Sequence, residues 1–319
     1  MFALDAQLME AVRAAMAAAG SARPEPAPRD DWKARRTNSE RAWTALGGVL
    51  PRHPEVVRTD HEFVSYDGAK VLARWYTPPG PAADRPGPAA VYVHGGGMIA
   101  GSVDLHDPVI AAYAADSGVP LLAVDYRLAP EHPHPTPVED TYAALGWLVG
   151  RAEELGVDRA RIALFGESAG GGLAAGAALM AREWKVPVAR QILVYPMLDD
   201  RTTEPDPVLA PFASWTYDDN YTGWHALLGD AVGGADVPMY AAPARARDLA
   251  GLPPAYIEVG ELDIFRDESL EYARRLLAVG TSVELHVHPG CPHGFDHMSA
   301  QADVVRRSRA DRLRALTSF

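Results

Sequence analysis

The stretch Phe165-Gly166-Glu167-Ser168-Ala169-Gly170-Gly171 follows a short apolar run at 161–165 and opens a Gly/Ala-rich segment that predicts a helix over 170–184. G-x-S-x-G between a strand and a helix is a sharp turn that lifts the Ser168 hydroxyl clear of the sheet. Only small residues on either side of the serine fit so tight a turn. The helix start behind it offers free N–H groups and partial positive charge to a developing anion. Alone the pattern is weak, and a glycine turn before a helix is its bland alternative. The strand on one side and the helix on the other give it weight.

Outward from this turn the same cadence repeats. Short β-rich runs at 90–93, 121–124, 161–165, 191–195, 255–259 and 283–288 alternate with helix-like stretches at 108–117, 138–155, 170–184, 268–279 and 299–316. Such alternation predicts an α/β fold, βαβ units with a mostly parallel central sheet flanked by helices. The runs read as continuously apolar, as centrally buried strands should. Asp67-Gly68 predicts the turn of a hairpin over 64–76. Leu4, Leu8, Val12 and Met16 fall four apart, one face of a helix, and the Pro-rich segments 21–31 and 78–88 read as a connector and a surface loop. The segment 198–237 interrupts the cadence with Phe212, Trp215, Tyr217, Tyr221 and Trp224. An insertion there lies beside the carboxyl ends of the strands, where open α/β sheets bind ligands, and predicts a lid.

Three further features carry chemistry. His94-Gly95-Gly96-Gly97 directly follows the run at 90–93. Its glycines let the backbone approach a ligand closely. No Lys-Ser/Thr follows them and no G-x-G-x-x-G fingerprint is present, which argues against a phosphate loop. Beside a nucleophile elbow such a loop supplies N–H donors to an oxyanion. A nucleophilic serine also needs a base, and the base an orienting acid. Gly260-Glu261-Leu262-Asp263 and Pro292-His293-Gly294 each follow a predicted strand and can face the elbow. Asp267 is the alternative acid. The order Ser168…Asp263…His293 is that of α/β-hydrolases.

HGGG at 94–97, Gly101-Ser102, Asp125-Tyr126-Arg127-Leu128-Ala129-Pro130-Glu131, GESAGG at 166–171, the Asp263 segment and His293-Gly-Phe together resemble the bacterial hormone-sensitive-lipase family of serine esterases. They occur in family order from about residue 60 onward, and the first 45 residues resemble it only as a variable cap. The resemblance implies an α/β-hydrolase fold with a helical cap, carboxylesterase activity and no cofactor. It carries over Ser168 as nucleophile, Asp263 as acid, His293 as base, and the amides of Gly96, Gly97 and Ala169 as oxyanion donors. One domain over 1–319 is expected, with the cap from about 1–45 and 198–235. Asp125 and Arg127 are expected to brace the loop around the oxyanion hole rather than touch substrate.

Composition bounds the alternatives. Of 319 residues, 48% are hydrophobic and 23% charged, which excludes wholesale disorder, collagen and coiled coil. The net charge of −12 opposes binding to nucleic acid or anionic membranes. Asp5 and Glu10 stand where a signal peptide would be basic, and the one cysteine, Cys291, suits a reducing compartment, so a cytoplasmic protein is expected. His286 and His288, or His293 and His297, have spacings that can bind metal, but no ligand cluster completes a site and none is expected. Short-acyl esters hydrolysed through an acyl-enzyme are the leading reading. An amidase or deacetylase on the same triad is the second. A noncatalytic small-molecule receptor is the third, and the presence of His293 argues against it. Ser168 in place of an elbow aspartate excludes epoxide and haloalkane hydrolases. The oligomeric state, a homodimer included, stays open.

Overall fold

Eight strands form one sheet in the computed structural model, which describes residues 2–19, 27–80 and 85–319. In chain order they are β1 (Val57–Val64), β2 (Lys70–Thr77), β3 (Gly87–Val93), β4 (Leu121–Val124), β5 (Val157–Glu167), β6 (Arg190–Val194), β7 (Ala255–Gly260) and β8 (Val283–His288). The sheet order is β1-β2-β4-β3-β5-β6-β7-β8. Pairing is antiparallel for β1–β2 and β2–β4 and parallel from β4 to β8. The helices are α1 (Ala6–Ala19), α2 (Trp32–Val49), α3 (Val103–Ser117), α4 (Thr136–Gly150), α5 (Ala169–Glu183), α6 (Tyr217–Leu228), α7 (Arg266–Ala278) and α8 (Asp303–Thr317). This is the α/β-hydrolase fold that the sequence predicts.

Side chains alternate between the two faces of a strand, and two cores follow from that. Ala89, Val91 and Val93 of β3 pack into one core with Val138 of α4, Leu173 of α5 and Leu276 of α7. Ala90 and Tyr92 pack into the other with Ile110 of α3, Val304 and Val305 of α8, and Leu8 of α1. Both faces of the middle strands are dry, which is why their sequences read as unbroken apolar runs. Fully burying one such Val, Leu or Ile contributes about 1.5–3 kcal/mol.

Three expectations need correction. The strand at 283–288 is an edge strand: Leu285 and Val287 are 37% and 39% exposed, while Glu284, His286 and His288 alternate with them. An edge strand keeps one open side, so it tolerates the alternation that a central strand would not. The Asp67-Gly68 hairpin forms, with Asp67 Oδ1 accepting from Ala69 N at 3.0 Å, but its first arm reaches back to Val57. The N-terminal region also holds a second helix, α2, that the reading of one helix and a connector omitted. Its local signal is Asp31, whose carboxylate caps Ala34 N at 2.9 Å. On α1, Leu8 is fully buried, and Leu4 and Val12 are half-buried. The Met16 side chain, residues 21–26 of the connector and residues 81–84 of the loop lie outside the described residues.

Candidate active site

Ser168 sits between β5 and α5 with φ 57° and ψ −122°. A non-glycine residue in that region is strained and persists only where its surroundings hold it. Here Ser168 N donates to Val194 O at 2.9 Å, while Ser168 O accepts from Met197 N at 3.0 Å and from Gly172 N at 3.1 Å. The turn closes because a Cβ on Gly166 would collide with the backbone of Gly170. The residue is 7% exposed.

His293, on the loop after β8, places Nε2 at 2.9 Å from Ser168 Oγ and Nδ1 at 2.7 Å from Asp263 Oδ2. Asp263 is fully buried, and its Oδ1 accepts from Phe265 N at 2.9 Å. The imidazole is set edge-to-face between Tyr195 (4.7 Å) and Phe265 (5.0 Å). Ser214 Oγ donates to His293 O at 2.6 Å. Asp267, the alternative acid, is 66% exposed and pairs with Arg266 at 2.7 Å. The structure therefore brings Asp263, and not Asp267, to the histidine.

Across from the serine lies the glycine loop. Gly96 takes φ +118°, and a Cβ there would strike the Ala100 carbonyl. Among the described residues, the amides of Gly96, Gly97 and Ala169 have no protein acceptor, and of the three residues Gly96 lines the cavity beside Ser168. Gly97 lies under Trp215, whose ring leaves no room for a Cβ. His94 does not enter the cavity; it is buried, stacked on Tyr126 at 4.3 Å, with Nδ1 2.7 Å from Gly95 O.

The cavity in front of the serine has a volume of about 340 Å³, and its walls include Trp43 and Leu46 of α2, Glu167, Tyr195, Trp215 and His297. Of the five rings in the 198–237 segment only Trp215 reaches it. Trp224 and Tyr217 are buried in the core, and Tyr221 stacks on His225 at 3.7 Å. The segment thus gives the pocket one of its five rings, and Trp43 of α2 supplies another. Glu167 is buried beside the serine and accepts from Tyr113 OH at 3.0 Å; burial raises its carboxyl above the usual range, opposed by Arg312. Asp125 accepts from Val103 N at 2.8 Å, and Arg127 makes a bidentate pair with Asp140 at 2.9 and 2.7 Å. Asp125 thus ties down the start of α3 just after the glycine loop, whereas Arg127 binds Asp140 and Asp67 and not that loop; neither lines the cavity.

The paired histidine spacings resolve differently. His288 turns to Glu258 at 3.4 Å, and His286 to Glu284 at 2.7 Å. Glu284, His286 and Asp311 are the only group among the described residues close enough to hold a metal ion, but Arg314 already pairs with both carboxylates, and none of the three lines the cavity.

Cys291, two residues before His293, is fully buried, and burial pushes its thiol up to about 12, with Asp5, Asp296 and Glu258 adding to the shift. Thiolates and not thiols are alkylated. Native protein at neutral pH is therefore expected to resist iodoacetamide and keep full activity, with Cys291 labelled only after denaturation. Rapid native labelling with loss of activity, followed by mass spectrometry, would contradict this.

A serine, an imidazole and a buried carboxylate in one hydrogen-bonded line, at the carboxyl ends of a mostly parallel sheet, define the class of serine hydrolases on the α/β-hydrolase fold. Comparison with known proteins agrees. The model of a family described as alpha/beta hydrolase fold matches residues 90–297. The carboxylesterase NlhH of Mycobacterium tuberculosis is 39% identical over 275 residues, 82% of this chain and 84% of that one. The ethyl acetate hydrolase of Pseudomonas putida is 33% identical over 297 residues, 92% of this chain and 90% of its own. Among solved structures, a bacterial heroin esterase superposes with a TM-score of 0.85 at 39% identity, covering 98% of this chain and 97% of that one. The chain belongs to this α/β-hydrolase family, in its hormone-sensitive-lipase branch, and is a serine carboxylesterase. No described helix is long and apolar enough to cross a membrane.

Proposed function

We propose that the protein hydrolyses short-acyl esters of small alcohols through an acyl-enzyme on Ser168. The observation that carries this reading is the hydrogen-bonded line from Ser168 Oγ through His293 to Asp263, at 2.9 and 2.7 Å. Neutral His293 takes the Ser168 proton through Nε2 as Oγ attacks the ester carbonyl. Asp263 fixes the tautomer with Nδ1–H and stabilises the imidazolium that forms. The carbonyl oxygen becomes an oxyanion held by the amides of Gly96, Gly97 and Ala169. His293 then gives the proton to the departing alcohol oxygen, and a water molecule repeats the sequence to release the acid. In this reading the cap of a single domain spanning 1–319 comes from about 1–45 and 198–235, and α2 brings Trp43 and Leu46 to the cavity. The substrate is a small molecule, and the lone cysteine favours a cytoplasmic setting.

Chain length follows from the cavity. Small-molecule pockets run from about 300 to 1,000 Å³, so 340 Å³ is near the bottom of the range and leaves little room for a long acyl chain. Each added methylene gains about 0.8 kcal/mol on burial until it meets Trp43 or Trp215. Overpacking then costs about 1–3 kcal/mol. The expected kcat/KM for aryl esters peaks at acyl chains of about two to six carbons and falls steeply by about ten. A maximum at twelve carbons or more, or activation by a triglyceride emulsion, overturns the short-acyl reading. Matched anilides in the same panel are expected to be poor substrates, and equal rates on amide and ester would make the protein an amidase.

A further inference from the structure

We infer that Arg36, on the second turn of α2, is a positioning residue for the oxyanion loop, with Glu131 as its anchor. The proposal rests on the reading of Gly96 and Gly97 as oxyanion donors. The guanidinium uses four N–H groups: Nε to Ile99 O at 2.5 Å, Nη2 to Ala129 O at 3.0 Å, and Nη1 and Nη2 to the two Glu131 carboxylate oxygens at 2.7 Å each. Ile99 stands two residues after Gly97. Its own amide and that of Ala100 both return to Gly96 O, at 3.1 and 3.0 Å, while Ala129 N donates to Met98 O at 2.9 Å. Arg36 thus grips the glycine loop and the neighbouring 125–131 segment at once, from outside the cavity.

The loop needs such a grip. Gly96, Gly97 and Met98 all lie at positive φ, 118°, 61° and 62°. Three consecutive residues in that region do not hold themselves, and Met98 pays a steric penalty there that persists only if neighbours over-determine it. Arg36 supplies that restraint with a planar fork that a lysine cannot imitate. Its position is fixed in turn. Glu131 takes a bidentate pair, and Arg36 holds that carboxyl down to about 2; the Trp32 ring lies under the guanidinium at 4.5 Å. Arg35, the neighbour, ties α2 to the other half of the cap through Asp219 at 2.8 Å. The cap helix therefore does more than roof the pocket: it holds the amides against which the oxyanion forms. This also gives a role to the final glutamate of the 125–131 motif, which the triad chemistry leaves unused.

Loss of the grip should weaken transition-state binding more than ground-state binding. Arg36→Gln is expected to lower kcat on an aryl acetate by on the order of 10–100-fold, the scale of an ångström-size misplacement, with KM changed less than threefold. The discriminating readout uses two probes. A trifluoromethyl ketone adds Ser168 Oγ to its carbonyl carbon, placing the carbonyl electron pair as an oxyanion while the serine proton passes to His293. A small aryl alcohol fills the same cavity with no oxyanion. The ketone's affinity is expected to fall in parallel with kcat, and the alcohol's to stay within twofold. Arg36→Lys should not restore either. Glu131→Gln, which leaves the backbone contacts of Arg36 in place, should show the same pattern at smaller size, and it serves if Arg36→Gln does not fold. Unchanged kcat in either folded variant overturns the clasp, as does equal loss of ketone and alcohol, which would mark a general collapse of the cap. Failure of the wild-type protein to bind the ketone would instead overturn the oxyanion assignment, and the clasp with it.

Discussion

Ser168→Ala is expected to lower kcat on a soluble aryl acetate by on the order of 10⁶, leaving the residual catalysis that binding and amide donors provide. The substitution removes one oxygen and keeps the Cβ, so the turn at φ 57° is no more strained than before. No structural bond depends on Ser168 Oγ beyond the one to His293 Nε2. A melting temperature close to wild type is therefore expected, and lost activity can be read as lost chemistry. Mixing enzyme and substrate at comparable concentrations should give a burst of aryl alcohol in wild type and none in the variant. A variant keeping more than about 1% of the wild-type rate would mean that another group is the nucleophile.

Much of this site was legible because its chemistry is tied to backbone shapes that few sequences can make. Ser168 was findable from Gly166 and Gly170, because the elbow closes only if those positions lack side chains. Asp263 and His293 were findable from their places just after strands, since a parallel sheet brings all such ends to one edge. The choice of Asp263 over Asp267 was open by spacing alone. It is decided by β7 and the Phe265 amide, which turn one carboxylate inward and leave the other beside Arg266.

The pocket wall was far less legible, and for a physical reason. A ring that faces a ligand and a ring that faces a core look the same in sequence, because both are apolar surfaces removed from water. Trp215 and Trp224 are nine residues apart in one segment, yet one covers Gly97 and the other is fully buried in the core. Trp43 lies in α2, a helix with only an Asp31 cap and a weak apolar face to announce it. Arg36 shows the same limit for charge: nothing local distinguishes it from Arg35, and only the tertiary structure sends one guanidinium to the glycine loop and the other to Asp219.

Asp263→Asn is expected to cost on the order of 10⁴ in kcat, whereas Asp267→Asn should stay within about twofold of wild type. The carboxylate of Asp263 is fully buried, and both oxygens are engaged as acceptors, Oδ2 by His293 Nδ1 and Oδ1 by Phe265 N. An asparagine can offer only one acceptor in their place. If its carbonyl takes the Phe265 amide, its NH₂ faces Nδ1 and demands an acceptor there. The imidazole must then carry its proton on Nε2, pointing at Ser168, and cannot take the serine proton. If the side chain flips, the correct tautomer returns, but NH₂ is pressed against the Phe265 N–H in a buried site, and the imidazolium loses the negative charge that stabilises it. Either arrangement raises the barrier without emptying the pocket, so KM should move much less than kcat. Asp267 has a solvent-exposed carboxylate paired with Arg266, and exchanging it removes a surface ion pair of small worth. Both variants measured on one aryl acetate decide between the carboxylates. A full loss at Asp267 with normal activity at Asp263 would reverse the assignment, and equal small losses at both would mean that His293 works without an orienting acid.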